Sequence, residues 1–393
     1  MKGNRLIYPI LACFFVMGFG DILGAVMNQV KAECAENAGT IAWLMPIFAY
    51  VWFLAISIPT GIVSGRIGRK NTVLVSLVVT VAAMLLAFFA SAERWYLYIV
   101  AFALVGIGNT IIQAALPALM SDVVEADKLT SRISLGQFVK ALCAALTPVF
   151  VYLTAAVLGN WKLIFPLYSA LTFAVMAWLR FSRTPAERGA SNALDADRTG
   201  FFSCLAALSN PYVAVMVFGV FFSVGADVGM AVAIPEYLGK VFDVEKNLAG
   251  MGPTVYFVAK TAAAFAGALV FERISAAKCL PWCMGIGLAL VILMPFTGSA
   301  FSFLAIVALV AFFTANSFGM CMGLAIARDP DKANEITSLM VMAIVGGGVV
   351  SAGLGLAVKA FGTLGIVLTL AGCLAYLFAA GLFASAKNMV KSV

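Results

Sequence analysis

The amino-acid sequence predicts an all-α membrane protein with about 12 transmembrane helices in two six-helix halves. Hydrophobic residues make up 63% of the 393-residue chain and charged residues only 11%, whereas a soluble domain holds roughly 45–50% and about 25%. The apolar residues form runs of roughly 20 residues, the length that crosses a bilayer. This composition excludes a soluble globular protein, a disordered protein, a secreted disulfide-rich protein and a nucleic-acid-binding protein.

Each predicted span is an apolar run that ends at charged residues or at a Gly, Pro or Asn break. The first run is too long for a removable signal peptide and lacks a small-residue cleavage site, so we count it as a helix of the mature protein. The predicted spans are 6–30, 41–64, 71–91, 95–120, 133–158, 161–181, 210–238, 249–271, 278–297, 300–326, 335–358 and 361–385.

Lysine and arginine residues are distributed unevenly between the two sides of these spans. With both termini placed inside, 17 of the 25 basic residues fall on inner segments, 6 on outer loops and 2 within spans. Basic residues favour the cytoplasmic side of a membrane. The sequence therefore predicts that both termini are cytoplasmic, and the short termini and compact loops indicate a bacterial inner (plasma) membrane.

A polar stretch and an internal repeat divide the spans into two groups of six. Residues 182–206 are rich in Ala, Ser and Arg and predict a cytoplasmic linker between an N-terminal half, 1–181, and a C-terminal half, 207–393. The repeated order indicates a duplication, and two such halves around a midplane site are typical of transporters. The matching stretches are FFVMGFGD (14–21) with FFSVGAD (221–227), GRIGRK (65–70) with ERISAAK (272–278), and DKLTSRIS (127–134) with DKANEITS (331–338).

Four ionisable residues fall well inside the predicted spans: Asp21, Lys140, Asp227 and Lys260. An ionisable group in the hydrocarbon layer is costly, so each is a functional candidate. The chain has no histidine, so any proton handling requires a carboxylate or a perturbed lysine. The alternative is that the two acids and two bases form ion pairs that only hold helices together. Against this alternative, both acids lie at the end of the repeated element that begins with two phenylalanines.

The loop GRIGRK (65–70) resembles the short basic loop between the second and third spans of the major facilitator superfamily. Arg66, Arg69 and Lys70 can cap helix C-termini and pair with cytoplasmic acids in one conformation only, which predicts a role in gating. The acidic residue often present in that motif is missing here, and a plain topology signal is the alternative interpretation.

The triple glycine of VMAIVGGGVV (341–350) is a second candidate for conformational change. Gly346, Gly347 and Gly348 make a weak point in the eleventh span, where a helix can bend or approach its neighbour closely.

Four stretches resemble the fucose–galactose–glucose–proton symporter family, a branch of the major facilitator superfamily. VMAIVGGGVV (341–350) and FFSVGADVG (221–229) carry the resemblance most closely, and GIGNTIIQAALP (106–117) and RISLGQFVKAL (132–142) follow it more loosely. The resemblance implies the major-facilitator fold, alternating access by two rocking halves, and proton-driven uptake of a monosaccharide, a hexose or a 6-deoxyhexose.

The sequence departs from this family at the carboxylates near the sugar. The family has one in the first span, where Ala25 stands here with Asp21 one helical turn earlier. It has another in the fourth span, where the position falls on Gln113 or Ile112. Proton coupling then depends on Asp21 or on Asp227, which matches an acid position of many relatives.

The fifth span departs as well. A family asparagine position near the sugar falls on Lys140, while Gln137 is retained. Together with the missing acid of the fourth span, Lys140 makes the N-terminal cavity more positive, which suggests an anionic substrate such as a sialic or uronic acid. A neutral sugar, with Lys140 paired to Asp21, is the alternative that we favour slightly. The predicted substrate-binding residues are Asn109, Gln113, Gln137, Lys140 and Lys260.

Other functional classes fit the sequence less well. A major-facilitator exporter of metabolites or drugs is the first rival, and the motifs of the seventh and eleventh spans argue against it. An enzyme is not expected, because no convergent nucleophile, base or metal group is visible. No cofactor or metal is predicted. The expected partners are a sugar, a proton and the lipid bilayer, and a monomer is expected.

Overall fold

The computed structural model describes residues 7–182, 205–244, 249 and 252–389, and within these ranges every regular element is a helix. The all-α class predicted from composition is confirmed. The predicted linker, 182–206, lies almost wholly outside the described residues.

Nine α-helices precede that linker. Gly68, with a φ of 91°, separates the fifth helix from the sixth, a backbone conformation that glycine adopts without strain. The helices are α1 (Ile7–Met17), α2 (Ile22–Glu33), α3 (Ala38–Tyr50), α4 (Trp52–Ala55), α5 (Ser57–Ile67), α6 (Arg69–Phe88), α7 (Tyr96–Val123), α8 (Leu129–Ala156) and α9 (Ile164–Phe181).

Eight described α-helices follow it. The first of them begins with a proline in its first turn, and the side chain of Asn210 accepts a hydrogen bond from the Tyr212 N–H. The helices are α10 (Pro211–Phe242), α11 (Gly252–Val270), α12 (Ala276–Leu293), α13 (Ala300–Thr314), α14 (Ser317–Arg328), α15 (Ala333–Met342), α16 (Gly346–Phe361) and α17 (Thr363–Met389).

Every one of the predicted spans overlaps a described helix. Within the described residues, nine helical stretches are long and apolar enough to cross a membrane, or ten if a pair bent by 59° at Ile56 is one span. The two remaining predicted spans correspond to α1 with α2 and to α8. The protein is therefore a multi-pass membrane protein.

Two of the described spans are interrupted near their centres by a 3₁₀ turn. A 3₁₀ turn at Gly18–Asp21 separates α1 from α2, and a second at Ala343–Val345 separates α15 from α16. The second turn ends immediately before the triple glycine, so α16 begins at Gly346.

The chain forms two compact units, each with its own core. The described residues of the first unit are 7–125, 136–182, 205–207 and 329–342. In it α6 packs against α7 and α9, and α15 packs against α4, α5 and α7. The short segment 329–342 thus belongs to the first unit, although it follows the linker in sequence.

The described residues of the second unit are 126–135, 208–244, 249, 252–328 and 343–389. In it α10 packs against α16 and α17, and α12 packs against α17. The segment 126–135 joins this unit through a hydrogen bond from the Ser131 hydroxyl to the Ala268 carbonyl, 2.7 Å, and through an ion pair between Arg132 and Glu272, 2.9 Å.

Candidate functional site

Two glycines let α10 and α16 approach closely in the second unit. A Cβ added to Gly346 would lie 2.2 Å from the Phe221 carbonyl oxygen, and one added to Gly225 would lie 2.4 Å from Val350 Cγ2. The stretches 221–229 and 341–350 are therefore packed against each other. This contact fixes the part of α10 that carries Asp227.

Asp227 belongs to a three-residue polar cluster between α10 and α11. The Tyr256 hydroxyl donates to Asp227 Oδ1 at 2.7 Å, and Lys260 Nζ donates to Oδ2. Tyr256 is 1% exposed, and the side chains of Asp227 and Lys260 are 18% and 23% exposed. Tyr256 and Lys260 reach one carboxylate because a spacing of four places them on the same face of α11.

In the first unit the first span lies close against α8. A Cβ on Gly136 would lie 2.8 Å from the Phe14 ring, and a Cβ on Gly18 would lie 2.7 Å from the Lys140 carbonyl oxygen. The half-buried residues Gln137 and Lys140 are therefore beside the 3₁₀ turn that contains Asp21. The Asp21 side chain itself is outside the described part of the structure.

Two amide side chains form a pair on α7. Gln113 Nε2 donates to Asn109 Oδ1 at 3.2 Å, and each residue is 7% exposed. Asn109 also lines a small recess between α1, α6 and α7, with a cavity volume of about 10 Å³, that is partly open to solvent. The recess is lined by Val16, Met17, Thr80, Val105, Asn109 and Ile112.

The three basic residues of the loop between α5 and α6 have different environments. Arg69 is fully buried and donates to Asp122 Oδ1 at 2.5 Å, to the Ala118 carbonyl at 3.3 Å and to Asn334 Oδ1 at 2.9 Å. A third helix, α15, is thereby joined to α6 and α7.

The other two basic residues of the loop lie nearer the surface. Lys70 donates to the backbone carbonyls of Arg180 and Ser182, at 3.2 and 2.6 Å, and so caps the end of α9. Arg66 is exposed.

Sequence reasoning missed Asp122 and Asn334, and it did not place Tyr256 beside Asp227. Tyr256 had a usable signal, its spacing of four from Lys260 on an apolar helix. Asp122 follows the fourth span directly, but the sequence offers several acids in that region, including Glu125 and Asp127, and no rule to choose between them.

The helices and these clusters define a multi-spanning α-helical membrane protein with charged and amide side chains held inside its spans. The family model of the Major Facilitator Superfamily matches residues 10–353, and the chain belongs to this family. No curated protein sequence matches this one.

Solved structures of sugar transporters resemble the chain over almost its full length. The E. coli fucose:proton symporter FucP, in a single-residue variant, has a TM-score of 0.87 at 20% identity, covering 98% of this chain and 100% of its own. FucP in the outward conformation has a TM-score of 0.82 at 19% identity, covering 96% and 98%. The proton:xylose symporter XylE, bound to 6-bromo-6-deoxy-D-glucose, has a TM-score of 0.70 at 13% identity, covering 97% and 94%. At these identities the likeness establishes the fold.

Proposed function

We propose that this chain is a secondary active transporter that takes up a monosaccharide, a hexose or a 6-deoxyhexose, together with a proton by alternating access. The observation that carries the proposal is the likeness to a fucose:proton symporter along the whole chain, with a TM-score of 0.87. The polar residues inside the spans support it, because buried charges and amides in a membrane protein mark substrate and ion pathways.

The two intramembrane acids are the proposed coupling residues. Asp21 lies at the break of the first span, and Asp227 lies at the matching position of α10. A carboxylate can bind the transported proton directly, and a helix break is a common place for a transporter to hold its ion.

The proposed sugar-binding residues are those with amide or ammonium groups on α7, α8 and α11. Amides both donate and accept hydrogen bonds, which suits sugar hydroxyls. The residues are Asn109, Gln113, Gln137, Lys140 and Lys260.

The proposed gating elements are the basic loop and the triple glycine. Of Arg66, Arg69 and Lys70, we assign the main role to Arg69, because its guanidinium holds α15 to α6 and α7. Gly346 and Gly347 allow the close approach of α16 to α10, while a Cβ on Gly348 would meet nothing within 4 Å.

An anionic sugar is the second candidate substrate, and Lys140 is the observation that favours it. Its backbone carbonyl lies beside the first-span break, and the fourth span has the amide pair in place of an acid. If Lys140 pairs with a substrate carboxylate, Lys140→Gln raises the half-saturation concentration for an acidic sugar. An unchanged value excludes this role.

The proposed setting is a bacterial inner membrane with both termini in the cytoplasm, and the proposed functional form is a monomer. The partners are the sugar, the proton and the surrounding lipid. As a member of a transporter superfamily, the protein is proposed to have no enzymatic activity.

Uptake into proteoliposomes with an inward proton gradient tests the proposal. The panel holds neutral hexoses, 6-deoxyhexoses and acidic sugars, and a proton ionophore collapses the gradient in the control. Accumulation of a neutral sugar that the ionophore abolishes is the expected result. Accumulation of only an acidic sugar selects the second candidate. No accumulation of any sugar by the purified, folded protein contradicts both.

A further inference from the structure

We propose that Asp227 and Lys260 form a permanent ion pair, with no net charge, in which both residues stay charged throughout the transport cycle. Asp227 is then not the residue that carries the transported proton. The inference rests on the proposed function, because it decides between the two carboxylates named there. It leaves Asp21 as the coupling residue of the two, and gives Tyr256 the role of positioning the Asp227 carboxylate.

Both oxygens of Asp227 are already engaged by donors. Tyr256 donates to Oδ1 at 2.7 Å and Lys260 donates to Oδ2. Tyr256 is itself buried, at 1% exposure, so its hydroxyl has little access to water as an alternative partner. A carboxylate held in this way has its negative charge compensated within the protein.

The helix that carries Asp227 is also firmly seated around this position. One turn earlier, the Ser223 hydroxyl lies 2.5 Å from the Ser317 hydroxyl of α14. Gly225 and Gly346 leave no room between α10 and α16 for even one more methyl group. Moving Asp227 away from Lys260 therefore disturbs contacts on two further helices.

The other ionisable side chains of the helices packed against α10 are Tyr376, the buried thiols of Cys321 and Cys373, and three basic residues near helix ends. The Tyr376 hydroxyl donates to the Val215 carbonyl at 3.2 Å, and Cys321 lies against Gly219. The basic residues in the last turns of α14, α16 and α17 are Arg328, Lys359 and Lys387.

A coupling carboxylate must become neutral and then charged again in every cycle. If Asp227 became neutral, the ammonium of Lys260 would remain unpaired inside a membrane span, which is strongly unfavourable. Removing both charges together leaves no unpaired charge. A permanent ion pair and a coupling role for Asp227 therefore predict different sugar transport by the single and double variants.

The experiment compares Asp227→Asn, Lys260→Gln and the double variant in proteoliposomes, in the sugar assay described above. Counterflow exchange measures sugar translocation without a net proton flux, and accumulation under an inward proton gradient measures coupling. Accumulation by the wild-type protein is a precondition, and its absence refutes the proposed function rather than this inference.

For a neutral pair, each single variant exchanges sugar at least about tenfold more slowly, because one charge is stranded. In the double variant both charges are absent, and the ratio of accumulation to exchange stays at the wild-type value whatever the rate of exchange, because neither charge carries the transported proton. A double variant that exchanges sugar but cannot accumulate it overturns the inference, because Asp227 is then the coupling residue. The inference is also overturned if the single variant Asp227→Asn exchanges sugar at the wild-type rate but does not accumulate it.

Tyr256→Phe provides a second test, in which the charges of Asp227 and Lys260 are both kept. It takes away the hydrogen bond to Oδ1 and keeps the pair. If Asp227 keeps its charge through the cycle, the pH dependence of accumulation has the same midpoint as in wild type, whatever happens to the rate. A shifted midpoint overturns the inference, because the hydrogen bond would then be tuning a carboxylate that titrates during transport.

Discussion

Arg69 and Asn334 are 265 positions apart in sequence, and Arg69 Nε donates to Asn334 Oδ1 at 2.9 Å. The same guanidinium is paired with Asp122 at the end of α7. A single buried side chain therefore joins α6, α7 and α15, in addition to the packing of α15 against α5 and α7.

Arg69→Gln is expected to be far more damaging than Arg66→Gln. The side chains of Arg69 and Asp122 are 1% and 2% exposed, and stranding one partner of a buried pair costs about 3–5 kcal/mol. Arg66 is exposed on the same loop, so its substitution changes the free energy of unfolding by less than about 0.5 kcal/mol. Thermal unfolding of the purified variants in detergent measures both. Equal shifts in the unfolding temperature contradict the conclusion that Arg69, and not Arg66, holds these three helices together.

The three consecutive glycines differ in how much space a Cβ atom would have, so their alanine variants test the packing of α10 against α16. A Cβ on Gly346 meets the Phe221 carbonyl at 2.2 Å, one on Gly347 meets Val228 Cγ2 at 2.9 Å, and one on Gly348 meets nothing within 4 Å. Overpacking costs roughly 1–3 kcal/mol, and a backbone atom cannot move aside as a side chain can.

We therefore expect Gly346→Ala to lower the unfolding temperature most and Gly347→Ala less. Gly348→Ala is expected to be neutral or stabilising by up to about 1 kcal/mol, because alanine is the better helix former. Counterflow exchange measured on the same three variants tells whether the close contact is also needed for transport. An equal effect of the three alanines argues against close packing of α10 and α16 as the reason for the glycines.

Much of the fold could be predicted because long apolar runs indicate membrane-spanning helices and basic residues indicate the cytoplasmic side of the membrane. The positions at which spans break were less accessible. Span one breaks at Gly18–Asp21, a turn with two glycines, and span eleven breaks at Ala343–Val345, directly before the triple glycine. Glycine alone does not mark such a break, because Gly106 and Gly108 lie inside the continuous helix α7. Hydropathy averaged over a whole span does not register three or four residues of altered hydrogen bonding.

The sequence singled out some of the residues in these clusters but did not determine their contacts. Asp227 and Lys260 stood out because charges are rare in the spans, and pairing between intramembrane acids and bases was one of the two interpretations left open. The partner of Arg69 could not be derived, since Asp122 is 53 positions away and its contact depends on how α6 packs against α7. Local spacing reveals neighbours on one helix, whereas contacts between helices require the tertiary fold.

Gln113→Leu is expected to weaken sugar binding, on the proposed function. The substitution removes the donor that Asn109 Oδ1 accepts at 3.2 Å and leaves an amide without its partner beside the recess. We expect the half-saturation concentration of the transported sugar to rise about tenfold, which corresponds to about 1.4 kcal/mol. Uptake measured over a range of sugar concentrations checks this value. Ile112→Leu, an apolar change in the same recess, is the control, and a matching rise there would assign the effect to packing.

Glu33 and Lys162 form an ion pair that anchors the end of α2. We expect substitution of either residue to lower the free energy of unfolding. Lys162 Nζ donates to Glu33 Oε1 at 2.5 Å and to the Ala90 carbonyl at 2.8 Å, and the Tyr98 hydroxyl donates to Glu33 Oε2 at 3.1 Å. The side chains of Lys162 and Glu33 are 17% and 22% exposed, so water screens their interaction only in part. Tyr98 is fully buried and depends on this carboxylate for its hydrogen bond.

Glu33→Gln removes the negative charge but keeps an oxygen acceptor, so we expect a loss of roughly 1–3 kcal/mol rather than the full cost of a stranded buried ion. Glu36→Gln, on an exposed residue three positions further along, is the matched control and should change stability by less than about 0.5 kcal/mol. Thermal unfolding at low and high salt distinguishes the cause. A loss that disappears at high salt would indicate a solvent-screened surface pair, whereas a loss that persists supports a partly buried anchor between α2, the start of α7 and the turn before α9.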